Sequence, residues 1–378
     1  MEKFICDDYS QTFEDATTMK DTLRQLNDNS KWIREVSTQN IKTKAVENAP
    51  LFAKEMANEY GCDEDALVDT MAGTQLVLTF DEGASYIPVR DTAMKSLYER
   101  TGAGRFVTRC NAEQLALFFN KIGFPTLNKK ALILVRGNKV SAVLSDENGG
   151  YEDLSMHGLI LRTEAALQDR FGDKARFCEG AISHNFMIAR YIIDVPELLQ
   201  EYQALTKASI YSTSFEPQIV IYSSDIGTCS ATVVPSFRTS RGTTIGINGT
   251  LSVHHKKGVS LDDFEQKLYE VFSKYVDFAK KLGQLSNITI EKPCKAFESM
   301  CHKIKLTKKF PMKFYKQALE DFEMYVGDDP VTAHDIYLGM CEIIFYAKCA
   351  GYDEAALCRL EDLIASTLAY DWEGLNDE

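Results

Sequence analysis

Apolar residues recur at helical spacing toward both ends of the chain and in short strand-like runs through its middle, and this change of period predicts the elements. Residues 1–70 are polar and acidic, with helical stretches at Ser10–Leu26 and Pro50–Glu59. Gly61 breaks the second stretch, Asp63 can cap a short helix through Thr70, and Gln75–Phe80 reads as a short buried strand. From Pro88 the pattern is denser. Asp91 can cap a helix carrying Ala93, Met94, Leu97 and Tyr98, and Asn111–Ile122 is a second helix with Leu115, Phe118, Phe119 and Ile122 on its apolar side. Ala131–Arg136 and Lys139–Leu144 are separated only by Gly137 and Asn138, residue types that accept the positive φ of a two-residue hairpin turn. After a helix near Leu154–Arg170, a second hairpin is expected from Arg176–Ser183 and Phe186–Asp194. Further strands are expected at Gln218–Tyr222, Cys229–Phe237 and Thr243–Ile247.

After Gly258 the helical period returns. Phe264, Leu268, Val271, Phe272, Tyr275 and Phe278 mark one face of a helix beginning at Ser260, and Met312–Val326, Thr332–Cys349 and Glu354–Ala369 are amphipathic. Strands joined mainly by hairpins, without regularly alternating helices, define an α+β chain. The expected architecture is a central hairpin-rich, mixed or antiparallel sheet with flanking helices and an all-helical C-terminal part. Its organisation is read as a peripheral, acidic, partly helical region 1–85, an α+β core 86–258 and a helical region 259–378.

Charge adds what periodicity does not show. Gln317–Glu378 holds fifteen acidic and two basic residues, which accounts for the whole net charge of -13 and leaves residues 1–316 neutral. Immediately before it, Lys292–Lys316 carries eight lysines against one acid, Glu298. Phe297, Phe310, Phe314 and Tyr315 interleave with these lysines, and Arg238, Arg241, Lys256 and Lys257 lie upstream on the expected sheet. Lys303, Lys305, Lys308, Lys309 and Lys313 could therefore contact phosphates while Phe310 and Phe314 stack on bases. The alternative is that the basic stretch docks on the acidic helices. These helices carry apolar faces, such as Ile336, Met340, Ile343 and Ile344, and so form a folded unit and not a loose tail.

The chemistry-bearing motifs are sparse. With 45% hydrophobic and 11% aromatic residues the chain can bury a large core. No run approaches the ~18 apolar residues of a membrane span, and Met1–Asp8 lacks the pattern of a signal peptide, so a cytoplasmic location with no membrane partner is expected. Ten cysteines scattered from Cys6 to Cys358 read as reduced thiols, and Cys294, Cys301 and His302 are poorly spaced for zinc. No phosphate-binding loop, dinucleotide fingerprint, nucleophile elbow or zinc helix motif is found, so neither metal nor cofactor is expected. A dispersed hydrolase or transferase site would require Arg136, Asp225, Asn248 and His254 to converge in one pocket.

Four segments also resemble domain of unknown function 932, a family of phage- and plasmid-encoded proteins. They are Ala93–Gly102 with Leu117–Leu144, ending in Val140-Ser141-Ala142-Val143-Leu144-Ser145; Ser224-Asp225-Ile226-Gly227 through Pro235; Ile247-Asn248-Gly249; and Thr332-Ala333-His334-Asp335-Ile336-Tyr337. His334 and Leu338 depart from the family's usual helix pattern. The resemblance implies a protein of a mobile element acting inside a bacterial cell, with no activity or catalytic residue to carry over. Three functions follow: a non-enzymatic single-strand binding or annealing factor; a protein-interaction module, such as an inhibitor of host defence or a virion component, whose acidic helices meet a basic host or phage protein; or the dispersed-site enzyme.

Overall fold

The computed structural model describes residues 4–81, 85–104, 107, 109–207, 209–211, 214–327 and 329–376. Its largest element is a seven-stranded sheet in the order β1 (Ser10–Phe13), β8 (Ala175–Ser183), β9 (Met187–Ile193), β10 (Phe215–Ser223), β11 (Ala231–Thr239) and β12 (Thr244–Gly246), with β13 (Leu251–Val253) also paired to β11. Every pairing in this sheet is antiparallel. All seven residues of β9 are buried, so the sheet needs a layer on each face. Ala189, Tyr191 and Ile193 join Ile219, Ile221 and Phe237 in the main core. That face is covered by α1 (Ala16–Asp28), α7 (Met156–Phe171), α8 (Glu197–Leu205) and α9 (Leu261–Gln284). Ile188, Val220, Tyr222 and Val234 point the other way, onto Cys358 of α14 (Glu354–Ala365).

A second unit holds two three-stranded sheets, β2 (Ser30–Ser37), β6 (Lys130–Arg136) and β7 (Lys139–Ser145), and β3 (Lys42–Ala45), β4 (Leu76–Thr79) and β5 (Ile87–Pro88). A parallel bridge between Val89 and Val140 ties them together. The helices of this unit are α2 (Ala49–Tyr60), α3 (Glu64–Thr74), α4 (Asp91–Thr101), α5 (Ala112–Phe118) and α6 (Phe124–Leu127), and it has a core of its own around Leu78, Leu97, Phe119, Ile133 and Val143. The β6–β7 turn has the expected geometry, with φ of 56° at Gly137 and 58° at Asn138. A Cβ on Gly137 would lie 2.8 Å from the Phe4 carbonyl oxygen, so only glycine fits there.

That contact exposes the main difference from the sequence reading, which put the N-terminal region at the periphery. Phe4, Met19 and Leu23 are fully buried in the main core. Ser10–Leu26, read as one helix, divides into edge strand β1, paired with Gly180–Ser183, and α1, which starts only after Asp15 accepts from the Thr18 N–H. An edge strand and a helix with a narrow apolar stripe both leave most positions polar, which is why the segment looked peripheral.

The C-terminal region contains α10 (Pro293–Lys303), α11 (Leu306–Lys309), α12 (Met312–Val326) and α13 (Ala333–Cys349), plus the short antiparallel pair β14 (Thr289–Ile290) and β15 (Val331–Thr332). α13 is buried over nearly its whole circumference, including His334 and Asp335, as expected of a central helix. Thr332 and Asp335 form its capping box, and Tyr337 Oη donates to the Gly246 carbonyl at 2.6 Å, fastening it to β12. The acidic end is therefore a layer of the fold. Among the described residues no helix is long and apolar enough to cross a membrane.

Candidate functional site

Ala296, Phe297, Met300 and Cys301 fill the inner side of α10, which leaves the lysines of this stretch on the outer side. Lys305, Lys308, Lys309 and Lys313 are exposed. No ion pair among the described residues involves any of these four. These four lysines thus face outward and pair with no carboxylate of the acidic helices, while the apolar side of the stretch packs on α13 in the main core. Lys303, at the end of α10, is only half-exposed.

The aromatic residues divide differently. Phe314 is buried, edge-on to Tyr352 at a centroid distance of 5.3 Å. It is a core residue, with Lys313 Nζ held 4.8 Å from its ring centroid, and its ring is not open to stack on bases as expected. Phe310 is half-buried and lines an open groove of about 700 Å³ together with Lys309, Arg359 and Asp362. Three of the four upstream cations are engaged within the chain. Arg238 lies 3.6 Å from Glu216, Arg241 3.0 Å from Glu342, and Lys257 2.9 Å from the buried Asp146 carboxylate, so each is answered by a carboxylate of the chain itself. Lys256 is exposed.

Of the four candidate polar residues, the fold brings two together. Arg136, at the end of β6, is 1% exposed. Its Nη2 donates to the Asp225 carboxylate, its Nη1 to the His184 carbonyl at 2.9 Å and its Nε to Ser30 Oγ at 2.8 Å. The first two bonds cross from the second unit to the large sheet, and the third stays within the second unit, on β2. Asn248 and His254 lie apart from them. Asn248 has φ of 72° and its Oδ1 accepts from the Gly249 N–H, which makes it a turn residue. His254 is exposed, with Nδ1 2.8 Å from Ser230 Oγ. Its neighbour His255 is the buried one, stacked on Tyr151 at 5.0 Å with its Nδ1 3.1 Å from the Glu152 carbonyl. Adjacent residues on extended backbone face opposite sides, so one histidine is lost from the cluster and the other gained.

The fold adds residues that no motif announced. Arg90 and Lys139 are fully buried and reach Asp7 at 3.1 and 3.0 Å. Burial pushes the Arg90 guanidinium down to about 10, partly opposed by Asp7. His184 is held down to about 2 by burial and then by the Arg90 charge, so it is neutral at physiological pH and its Nε2–H donates to the Cys6 carbonyl at 2.6 Å. Burial, reinforced by the Asp225 charge, pushes the Asp153 carboxyl up to about 7. These groups come from segments far apart in the chain, and a single charged residue in a turn or strand leaves no periodic signal. A carboxyl titrating near neutrality suits proton transfer. However, the cavity beside Arg136, Asp153 and Asp225 measures about 10 Å³, room for about one water. In this conformation the cluster acts as a polar joint between the two units.

One pH effect follows. Asp153 has a folded pKa raised above its unfolded value, so its contribution to stability is present below about pH 4 and is lost as pH rises through about 7. Asp153→Asn should therefore gain stability relative to the wild type as pH is raised across this window, with no further change above it. Urea denaturation at pH 5, 6, 7 and 8 checks this; a constant difference would remove the assignment.

Comparison with known proteins adds no relative, since no family model, curated protein or solved structure matches the chain. The likeness to domain of unknown function 932 rests on its short sequence motifs.

Proposed function

We propose that the chain is a non-enzymatic nucleic-acid-associated protein of a phage or plasmid that holds a single strand by its phosphates. The observation that carries this reading is the outward, unneutralised set Lys305, Lys308, Lys309 and Lys313 on a chain whose net charge is -13. An acidic protein that keeps such a cationic edge free of its own carboxylates retains a local attraction for polyanions. The groove beside it supports a single strand over a duplex. Phe310 offers a half-buried ring to a base, and Lys309 and Arg359 line the same groove of about 700 Å³.

The test is fluorescence anisotropy with a labelled oligothymidylate over a range of salt. The triple variant Lys305→Gln, Lys308→Gln, Lys309→Gln should lower the slope of log affinity against log salt by about 2, since each phosphate contact on a single strand contributes about 0.7. Phe310→Ala should weaken binding by about 1–3 kcal/mol without altering the slope. A wild-type chain that binds no nucleic acid at low salt, or a triple variant with an unchanged slope, would sink the reading.

A further inference from the structure

A groove of about 370 Å³ opens where the β11–β12 turn meets α12 and α13. Tyr211, Phe215, Phe322 and Tyr325 supply aromatic walls, and Asp321 and Glu342 supply carboxylates. The Tyr211 and Tyr325 rings stand 6.4 Å apart between centroids. Arg241 also lines the groove, but its charge is taken by Glu342 at 3.0 Å. Asp321 accepts hydrogen bonds from Tyr346 Oη and from Gln317 Nε2, both neutral, and enters no ion pair among the described residues. Burial, opposed by Arg241 and reinforced by Asp321, pushes the Glu342 carboxyl up, and Asp321 is the groove carboxylate that no cation answers among the described residues.

Thr239, Ser240 and Thr243 line the groove with polar groups, and part of its rim is apolar. Tyr325 is 74% exposed, Met324 78% and Ile210 46%. Met324 and Tyr325 follow Asp321 by three and four residues, which sets them on its face of α12. An anionic aromatic groove attracts a cation to its ring faces and carboxylates, while an apolar rim favours a polypeptide, which can cover it, over a small free cation.

We propose that this groove docks an arginine or lysine side chain that a partner polypeptide presents beside an apolar residue. The cationic head enters beside the Tyr211–Tyr325 pair toward Asp321, and the apolar neighbour covers Met324 and Ile210. This site is independent of the nucleic-acid reading, because none of the three lysines tested above lines the groove.

Selection of a random-peptide display library on the full chain tests it, followed by calorimetry with the enriched peptides. Enriched peptides should share a basic residue next to a leucine, methionine or aromatic residue. Exchange of that basic residue for citrulline or norleucine, and the separate variants Tyr325→Ala and Asp321→Asn, should each weaken binding about tenfold or more. The triple lysine variant should bind the peptides as the wild type does. Tyr325 is exposed, so Tyr325→Ala decides the matter even if Asp321→Asn disturbs folding. Failure to enrich any peptide, enrichment of peptides without a basic residue, full binding by Tyr325→Ala, or free spermidine binding as tightly as the peptides would each overturn the proposal.

Discussion

Asp225→Ala should lower the unfolding free energy in urea by about 3–5 kcal/mol. Arg136 sits at 1% exposure, and Asp225 is the carboxylate on its guanidinium. Its other partners, the His184 carbonyl and Ser30 Oγ, are neutral. Removal of Asp225 leaves a guanidinium that water barely reaches and no counter-charge in contact, so nearly the full desolvation cost appears as lost stability. Arg136 also spans the two units, and the loss should be felt by both in one transition. The double variant Arg136→Met, Asp225→Leu should recover most of the loss, because it removes both charges and retains apolar volume. A single variant within 1 kcal/mol of the wild type would show that the pair is not what holds this joint.

Arg190→Met should have a cost that depends on pH. Arg190 projects from β9 toward α14, with Glu354 at 2.8 Å, Glu361 at 3.6 Å and Glu179 at 3.7 Å. Even with Arg190 opposing it, burial pushes the Glu361 carboxyl up to about 7. A carboxyl raised above its unfolded value favours the fold at low pH, and that contribution is lost as pH rises toward the folded pKa. Without Arg190 the folded pKa rises further, so the loss extends to higher pH. The expected cost is about 3–5 kcal/mol at pH 8, where Glu361 must ionise unpaired or bind a proton against the solvent, and about half of that at pH 5.5, where it is already protonated. Denaturation of both proteins at the two pH values measures this, and equal costs would exclude Glu361 as the group responsible.

The same features show how far the chain is legible without coordinates. Hairpin β6–β7 and helices α12 and α13 follow from local rules, since turn residues, caps and apolar period act within a few residues of one another. Arg136 and Asp225 were singled out as polar candidates and do meet. His255, Asp153 and Arg90 were not, because burial of a charged residue is decided by which segments pack over it. His254 was chosen over His255 for the same reason: in a bare sequence the two are equivalent, and only the packing of Tyr151 distinguishes them. For Phe314 and Phe310, the helical period cannot say which of two aromatic residues near a helix start will be covered by Tyr352 of another segment.

What the sequence determined by itself is the α+β class, the order and type of most elements, and the segregation of charge into a basic stretch followed by an acidic end. These depend on local propensity, period and composition. Tertiary structure alone decided that the N-terminal segment enters the main core, that the lysines face outward, and that Arg238, Arg241 and Lys257 are answered by carboxylates distant in the chain. Those outcomes are set by long-range packing, where desolvation and the distance between charges, not their order along the chain, fix which groups remain free to bind.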